Sequence, residues 1–438
     1  MNKLEDQQTR TRANQMAEAL QDWLQSKESP LQEAVDRTLA EGLFSRSDLQ
    51  YQLSAIRETA KEQDLIRWVR KNAIRTPINP KTILAVHAGN LPLVSFQDIL
   101  AVFLSGHQYV GKLSSSDPYL PLSLLEVLKK HLKNQEVHDP PKLCAPDQIT
   151  SDQITSNLIT SDHITSNLRT SDHGISDHRT SDQRPSAFFA STHWADLHQL
   201  AADAMIFSGS ADTVDQIQGM LKEYSIVRKS APILCRTTHF SIAYFDPGSS
   251  IHGTLSHSPY TDLAEAICRH NGNGCRSVGI VVSPVGLEQL SCELTDHLEL
   301  CLMKCGYGGE ARDRAGIERV QTQEQALRYR YAYHKVRNRT QVFCGPVLIT
   351  EMENPTVQES ELPSVAGEVI WVRGDMDTLM ALVHTYRADI QSVYINEAST
   401  QSLPDGSESE PLNRAQKPPL DWKPDGIDPL HWIAEFAG

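Results

Sequence analysis

Two hydrophobic rhythms divide the chain. Up to about residue 78 the apolar positions keep a helical period: Leu31, Ala34, Val35, Thr38, Leu39 and Leu43 fall on one face. Ser45-Arg46-Ser47-Asp48 reads as a cap before a helix over Leu49–Gln63, and Ile66, Trp68 and Val69 continue on another helical run. From Thr82 the pattern changes. Thr82–His87 is a short, almost wholly apolar run, as in a buried parallel strand. A turn, Ala88-Gly89-Asn90-Leu91-Pro92, leads into a helix-length apolar stretch over Leu93–Leu104, with Pro92 suited to its first turn. Gln108–Leu113 reads as a second strand, which completes a β-α-β unit, the building block of a doubly wound sheet. Ser114-Ser115-Ser116-Asp117-Pro118 is a turn and cap before a helix over Leu120–Leu132.

Residues 147–186 break this rhythm. They divide into pentads (DQITS, DQITS, NLITS, DHITS, NLRTS, DHGIS, DHRTS, DQRPS). A pentapeptide β-helix needs an apolar residue at the inward position of nearly every turn, and here Gln or His fills most of those positions. So polar a segment has little to bury and reads as a low-complexity, disordered insertion in a surface loop. Its His163, His173 and His178 are read as repeat residues rather than metal ligands.

The α/β pattern then resumes: a helix over His193–Ala204, a strand at Met205–Phe207, the turn Ser208-Gly209-Ser210-Ala211-Asp212, and a helix over Thr213–Tyr224. Strand, Gly/Ser turn and helix N-terminus make a natural phosphate seat. Phe240–Phe245 is another strand. An amphipathic run, Asp262–His270, and an apolar one, Gly279–Val282, flank Asn271-Gly272-Asn273-Gly274-Cys275-Arg276-Ser277. Cys275 therefore sits in a glycine-rich turn between helix and strand, where a thiol can be exposed and electrostatically tuned. Taken alone, the heptapeptide also fits one more buried thiol among the eight cysteines. Leu287–Leu300 reads as a helix, Gln341–Leu348 as a strand, Glu368–Val372 as a strand, Met376–Ile390 as a helix and Ser392–Ile395 as a strand, with Gln401–Lys417 a polar loop.

Composition narrows the class. With 438 residues the chain can hold two or three domains. Its net charge of −14 disfavours nonspecific binding to nucleic acid or anionic membrane. No apolar run approaches the ~20 residues of a membrane span, and the N-terminus lacks a signal-peptide apolar core. Sparse cysteines point to a reducing cytoplasm rather than a disulfide framework, and Cys301 and Cys305 lack a second ligand pair for zinc. His87 and His107 are read as packing or surface residues.

Gly89-Asn90-Leu91-Pro92-Leu93, Lys112–Pro118, Phe207–Ser210 and Gly274-Cys275 occur in the order seen in aldehyde dehydrogenases. Over residues of about 25 to 435 apart from the insertion, the chain more closely resembles the acyl-CoA reductases typified by the fatty-acyl reductase of bacterial luminescence (LuxC-like), including Ala415–Pro419 and Asp425-Gly426-Ile427-Asp428. The resemblance implies an α/β, aldehyde-dehydrogenase-like fold: a helical N-terminal region (1–78), a doubly wound nicotinamide-cofactor domain (79–250, containing 147–186), a catalytic domain (251–400) and a C-terminal tail (401–438). It implies NAD(P)H-dependent reduction of an acyl-CoA to an aldehyde through a cysteine-bound acyl-enzyme. Cys275 matches the nucleophile and Asn90 the side-chain amide of the oxyanion hole. Lys112 matches the lysine at the adenosine ribose, Gly209 and Ser210 the turn at the cofactor phosphates, and Gln341 and Phe343 the Glu-x-Phe-Gly-Pro element, with Gln for Glu and Cys344 inserted before Gly345-Pro346. Hydrolytic members place a water-activating glutamate in a segment corresponding to Pro232–Thr238, which carries no carboxylate here, as suits an enzyme that passes an acyl group between thiols. NAD-selective relatives have a glutamate where Ser115 stands. Ser114–Ser116 with Lys112 therefore imply NADPH, alongside or in preference to NADH, and Asp117 is read as the helix cap. Arg276 and the amides around Gly274 are expected to favour the thiolate. No metal is expected. The expected partners are acyl-CoA, an acyl-delivering protein and further copies of the chain. Two rivals stay open: an acyltransferase using the same thioester, and a non-enzymatic binding protein on this fold.

Overall fold

Amphipathic helices open the chain: α1 (Lys3–Gln25), α2 (Leu31–Ala40), α3 (Arg46–Thr59) and α4 (Glu62–Lys71). Ser45 caps α3 as its sequence predicts, its side chain accepting from Asp48 N–H. The structure, a computed structural model, describes residues 3–131 and 188–437 apart from 27–28, 75–76, 78, 239, 249–257, 308–313, 353–361, 397–402 and 404–407. The pentads at 147–186 lie outside the described residues.

β1 (Thr82–Val86), α5 (Phe96–Ser105), β2 (Gln108–Lys112) and α6 (Tyr119–His131) follow, then β3 (Phe188–Ser191), β4 (Ala204–Ser208), α7 (Val214–Glu223) and β5 (Ile233–Arg236). The five strands form one parallel sheet in the order β3-β2-β1-β4-β5. Every residue of α5 is buried. It lies between the sheet, α1 and the last helix, α12 (Pro429–Ala437), which explains why its sequence is apolar all round.

The second sheet is built from β6 (Phe240–Tyr244), β7 (Val278–Ser283), β8 (Gln341–Cys344), β9 (Val347–Met352), β10 (Glu368–Arg373), β11 (Ile390–Ile395) and β12 (Glu410–Pro411), in the order β12-β11-β6-β7-β10-β9-β8. Between these strands run α8 (Pro259–Cys268), α9 (Leu287–Lys304), α10 (Arg314–Lys335) and α11 (Met376–Thr385). α8 and α9 cover one face and α11 the other, so the sheet is buried on both sides. This is the doubly wound, two-sheet α/β fold with a helical N-terminus that the sequence predicts.

Several local expectations are corrected. Leu93 has φ +56°, so the helix expected from Leu93 starts at Phe96 after a turn. His193–Ala204 holds only a short 3₁₀ turn at Trp194–Leu197, because Gln199 (φ +58°) and Ala201 (φ +50°) break any helix. Gln341–Leu348 is a hairpin: Gly345 (φ +54°) reverses the chain, and Cys344 pairs antiparallel with Val347. β6 falls within the 79–250 expected for the cofactor domain but pairs with β7 and β11 in the second sheet.

The C-terminal segment is no detached tail. Asp428 accepts from Trp68 Nε1 (3.0 Å to each oxygen) and Asn72 Nδ2 (3.0 Å), and caps α12 through Leu430 N–H (2.9 Å). α12 joins the N-terminal helices and the first sheet in one core. Among the described residues no helix is long and apolar enough to cross a membrane.

Candidate active site

Each loop of the site is set by local backbone chemistry. The turn after β1 brings Gly89 against the turn after β2. A Cβ on Gly89 would lie 2.2 Å from Ser114 Oγ, so only glycine lets the two turns nest. Leu93 N–H donates to Asp117 Oδ2 at 2.6 Å, and Asn90 Nδ2 donates to the Asn273 carbonyl at 2.7 Å, tying this turn to the nucleophile loop. That loop leaves α8 through His270 and Asn271, both at φ +55°, and Gly272 at φ +72°. A left-handed conformation at a non-glycine residue costs ~1–2 kcal/mol, and such strain concentrates at functional sites. Ser241 Oγ donates to the Cys275 carbonyl at 3.0 Å, and Ser277 N–H to the Gly274 carbonyl at 2.8 Å, closing the loop over β7.

The loops surround one cavity of about 430 Å³. Asn90, Gly209, Ser210 and Cys275 line it together. In the first sheet the chain steps from β1 to β2 and β3 and then returns to place β4 on the other side of β1. The turns after β1 and β4 thus leave the carboxyl ends of adjacent strands at a topological switch point, where open α/β sheets bind ligands. α3 contributes Ala55 and Ile56 beside Gln52 and Thr59, α5 contributes Phe96 beside Gln97 and Asp98, and the C-terminal segment contributes Leu420 and Trp422, so the lining mixes apolar and polar side chains.

Cys275 is half-buried in the cavity wall. Burial pushes its thiol up to about 11; Arg276 pulls it down, Asp425 pushes it up and Arg236 pulls it down. Arg276 thus favours the thiolate as expected, but burial outweighs it and the resting group is the thiol. The Arg276 guanidinium is committed to Glu410 (2.6 and 3.1 Å) and the Ala415 carbonyl (2.7 Å), so much of its charge is cancelled. It lies 4.7 Å from the Trp422 ring centre, a structural clamp between β7 and the C-terminal segment.

The other expected residues lie outside this cavity. Lys112 Nζ donates to the Leu113 carbonyl (2.9 Å) and rests 5.1 Å from the Trp194 ring. Ser115 is exposed on the turn after β2. Asp117 is not a helix cap: it is buried under Leu93, and burial raises its carboxyl to about 7 against the Leu93 hydrogen bond, which lowers it. Gln341 and Phe343 sit on β8, the far edge of the second sheet, Gln341 near the Tyr331 carbonyl (3.3 Å) and Phe343 stacked on Tyr331. The structure does not bring them to Cys275.

Further charged and polar residues lie in or beside the cavity. Arg236, at the end of β5, pairs with the buried Asp98 of α5. His87 Nδ1 lies 3.8 Å from the same carboxylate, and its Nε2 is 2.8 Å from Tyr109 Oη. Burial lowers His87 to about 4, with Asp98 raising it and Arg236 lowering it further, so His87 is neutral. His270 pairs with Asp48 of α3 at 3.2 Å. Asp425 docks on Thr237 and Thr238, within the segment that carries no carboxylate of its own. Gln391 is buried in the cavity wall with no hydrogen-bond partner for Nε2 among the described residues. Asp98 is the one acid in an otherwise apolar helix, which was the available signal. Gln391 lies more than a hundred positions from Cys275 and no local pattern marks it, while Asp425 stands in the Asp425-Gly426-Ile427-Asp428 stretch of the resemblance, to which no role was attached.

Residues 5–164 match the family described as Acyl-CoA reductase (LuxC), a stretch that ends before Cys275. No curated protein sequence matches the chain. Among solved structures the chain is similar to PnpE from Pseudomonas sp. WBC-3 (10% identity, TM-score 0.52, covering 91% of this chain and 75% of that one). It is similar also to a NAD-dependent benzaldehyde dehydrogenase from Corynebacterium glutamicum (11%, TM-score 0.52, 97% and 80%). A third is a salicylaldehyde dehydrogenase from Pseudomonas putida G7 complexed with salicylaldehyde (11%, TM-score 0.50, 95% and 75%). At such identities the likeness is one of fold. The chain thus has the fold of the aldehyde dehydrogenases and, over residues 5–164, matches the acyl-CoA reductase (LuxC) family.

Proposed function

We propose that the protein reduces an acyl-CoA to an aldehyde through a thioester on Cys275. The observation that carries this reading is that Cys275, Asn90 and the Gly209–Ser210 turn line one cavity together with apolar side chains such as Ile56, Phe96, Leu420 and Trp422. Those apolar side chains suit an acyl chain. The switch point and the Gly209–Ser210 turn suit a dinucleotide, and when bound a reduced nicotinamide supplies the hydride for the thioester carbon.

Cys275 Sγ attacks the acyl carbonyl, and an oxyanion forms. Asn90 spends one amide hydrogen on Asn273; an amide nitrogen carries two, so the second is left for that oxygen, with Cys275 N–H as partner donor. One such donor is worth about 3–4 kcal/mol. Pro232–Thr238 carries no carboxylate of its own, and its one charged side chain, Arg236, is engaged by Asp98; the carboxylate docked on it, Asp425, comes from the C-terminal segment.

The turn after β2 supports NADPH alongside or in preference to NADH. Ser115 is exposed there, and Asp117 is drawn under Leu93, away from a ribose phosphate it would repel. The test is nicotinamide oxidation with acyl-CoAs of graded chain length and each reduced cofactor. Aldehyde formed in step with nicotinamide consumption supports the reading. Acyl transfer to another acceptor with no change in nicotinamide absorbance would favour the acyltransferase.

A further inference from the structure

Acyl transfer from CoA to Cys275 has an unassigned proton. Burial keeps the thiol protonated at neutral pH, yet a thioester forms only as that proton leaves, and the departing CoA sulfur must gain one. Resting on the acyl-CoA reading above, we propose that Asp425 carries this proton, as the acid–base residue of acyl transfer.

The geometry singles out this carboxylate. Asp425 lines the Cys275 cavity and is held at φ +52°, ψ +32°, a left-handed conformation that a non-glycine residue rarely adopts. Its Oδ2 accepts from Thr237 N–H (2.9 Å) and Thr238 N–H (3.3 Å), and its Oδ1 from Thr238 Oγ1 (2.7 Å). Its own N–H donates to Gln391 Oε1 at 3.3 Å. Two backbone donors fix Oδ2, and the single hydroxyl hydrogen of Thr238 is shared between Oδ1 and Gln391 Oε1 (2.8 Å), so Oδ1 keeps an unclaimed lone pair among the described residues. The charge of Asp425 is felt at Cys275. Among the described residues Asp425 has no ion-pair partner, whereas Asp98 is paired with Arg236 and Asp48 with His270.

The step balances. As Cys275 Sγ bonds to the acyl carbon, its proton passes to Asp425. As the tetrahedral intermediate collapses, the C–S bond to CoA breaks, the electron pair stays on the CoA sulfur, and the proton moves there from Asp425. No oxidant or reductant is consumed.

Asp425→Asn keeps the acceptor for the threonine donors and removes the base. Acyl-enzyme formation from an acyl-CoA, read by intact mass, should slow by about 100-fold or more. Cys275 alkylation by iodoacetamide should instead become easier at a given pH, because a like charge beside the thiol is gone. A merely structural role would not move the two in opposite directions. Thr238→Val, which loosens the clamp but keeps the carboxylate, should stay within about tenfold of the parent. Asp425→Asn acylating at the parent rate overturns the proposal, as does Thr238→Val losing as much as Asp425→Asn. Should Asp425→Asn fail to fold, Asp425→Glu decides: acylation within about tenfold of the parent supports the proposal, and a loss of 100-fold or more overturns it. A parent that forms no acyl-enzyme overturns the acyl-CoA reading itself, and the assignment of Asp425 with it.

Discussion

In the free protein Cys275 should be a sluggish nucleophile. Its thiol is pushed up to about 11, burial being the largest cause, whereas an ordinary cysteine titrates near 8.5. At pH 7.5 the thiolate fraction is then on the order of 3 × 10⁻⁴, against about 0.1 for an ordinary thiol, a difference of about 300-fold. Cys292 is an exposed internal comparator on α9. With limiting iodoacetamide and peptide mass spectrometry, Cys292 should be alkylated first, and Cys275 slower by a factor in the hundreds. The Cys275 rate should then climb about tenfold per pH unit to beyond pH 10, for as long as the protein stays folded. A Cys275 that alkylates fastest at pH 7.5, or whose rate levels off below pH 9, would refute the reasoning. It would mean that Arg276 and Arg236, despite Glu410 and Asp98, outweigh burial.

The buried Asp117 gives a stability test. A carboxyl raised from 3.8 to about 7 in the folded state contributes stability that is whole below pH 4 and lost as pH rises through 7, in all on the order of 4 kcal/mol. Asp117→Asn keeps an acceptor for Leu93 N–H and does not titrate, so by chemical denaturation it should gain on the parent by about 2–3 kcal/mol between pH 5 and 8; a difference that does not vary with pH contradicts the burial argument. Ser115→Glu should shift kcat/KM at least tenfold from NADPH toward NADH, and an unmoved preference would show that this turn does not meet the ribose. Deleting residues 147–186 should change stability by less than about 1 kcal/mol and leave turnover nearly intact, since each doubling of loop length costs only ~0.6 kcal/mol; a large loss in either would show that the pentads pack on the enzyme.

What the sequence revealed follows from where each signal is stored. The β1-α5-β2 unit was legible because α5 is buried all round and its strands are apolar runs. The Cys275 turn was legible because its glycines answer a local need: Gly272 takes φ +72°, and a Cβ there would lie 2.6 Å from Gly367 N. α10 leaves little mark in the sequence, because its buried Val320, Leu327 and His334 recur every seventh position, a thin stripe. Gln341 and Phe343 were placed by a motif rather than by contacts, and the hairpin carries them to the sheet edge. Asp425 is held at the cavity by its own bonds to Thr237 and Thr238 and by Asp428, which anchors the segment that follows it to Trp68 and Asn72, 350 and more positions upstream. Such closeness is a property of the folded chain, and no local pattern encodes it.

The acyl-enzyme on Cys275 is the species on which the proposed reaction depends. The protein is incubated with an acyl-CoA without nicotinamide, digested, and the acylated peptide mapped; reduced nicotinamide is then added. The account predicts acyl mass on Cys275 alone, its disappearance with aldehyde release on adding reduced cofactor, no adduct in Cys275→Ala, and an undiminished adduct in Cys268→Ala, whose thiol is buried within α8. Acylation and aldehyde formation that persist in Cys275→Ala would contradict it.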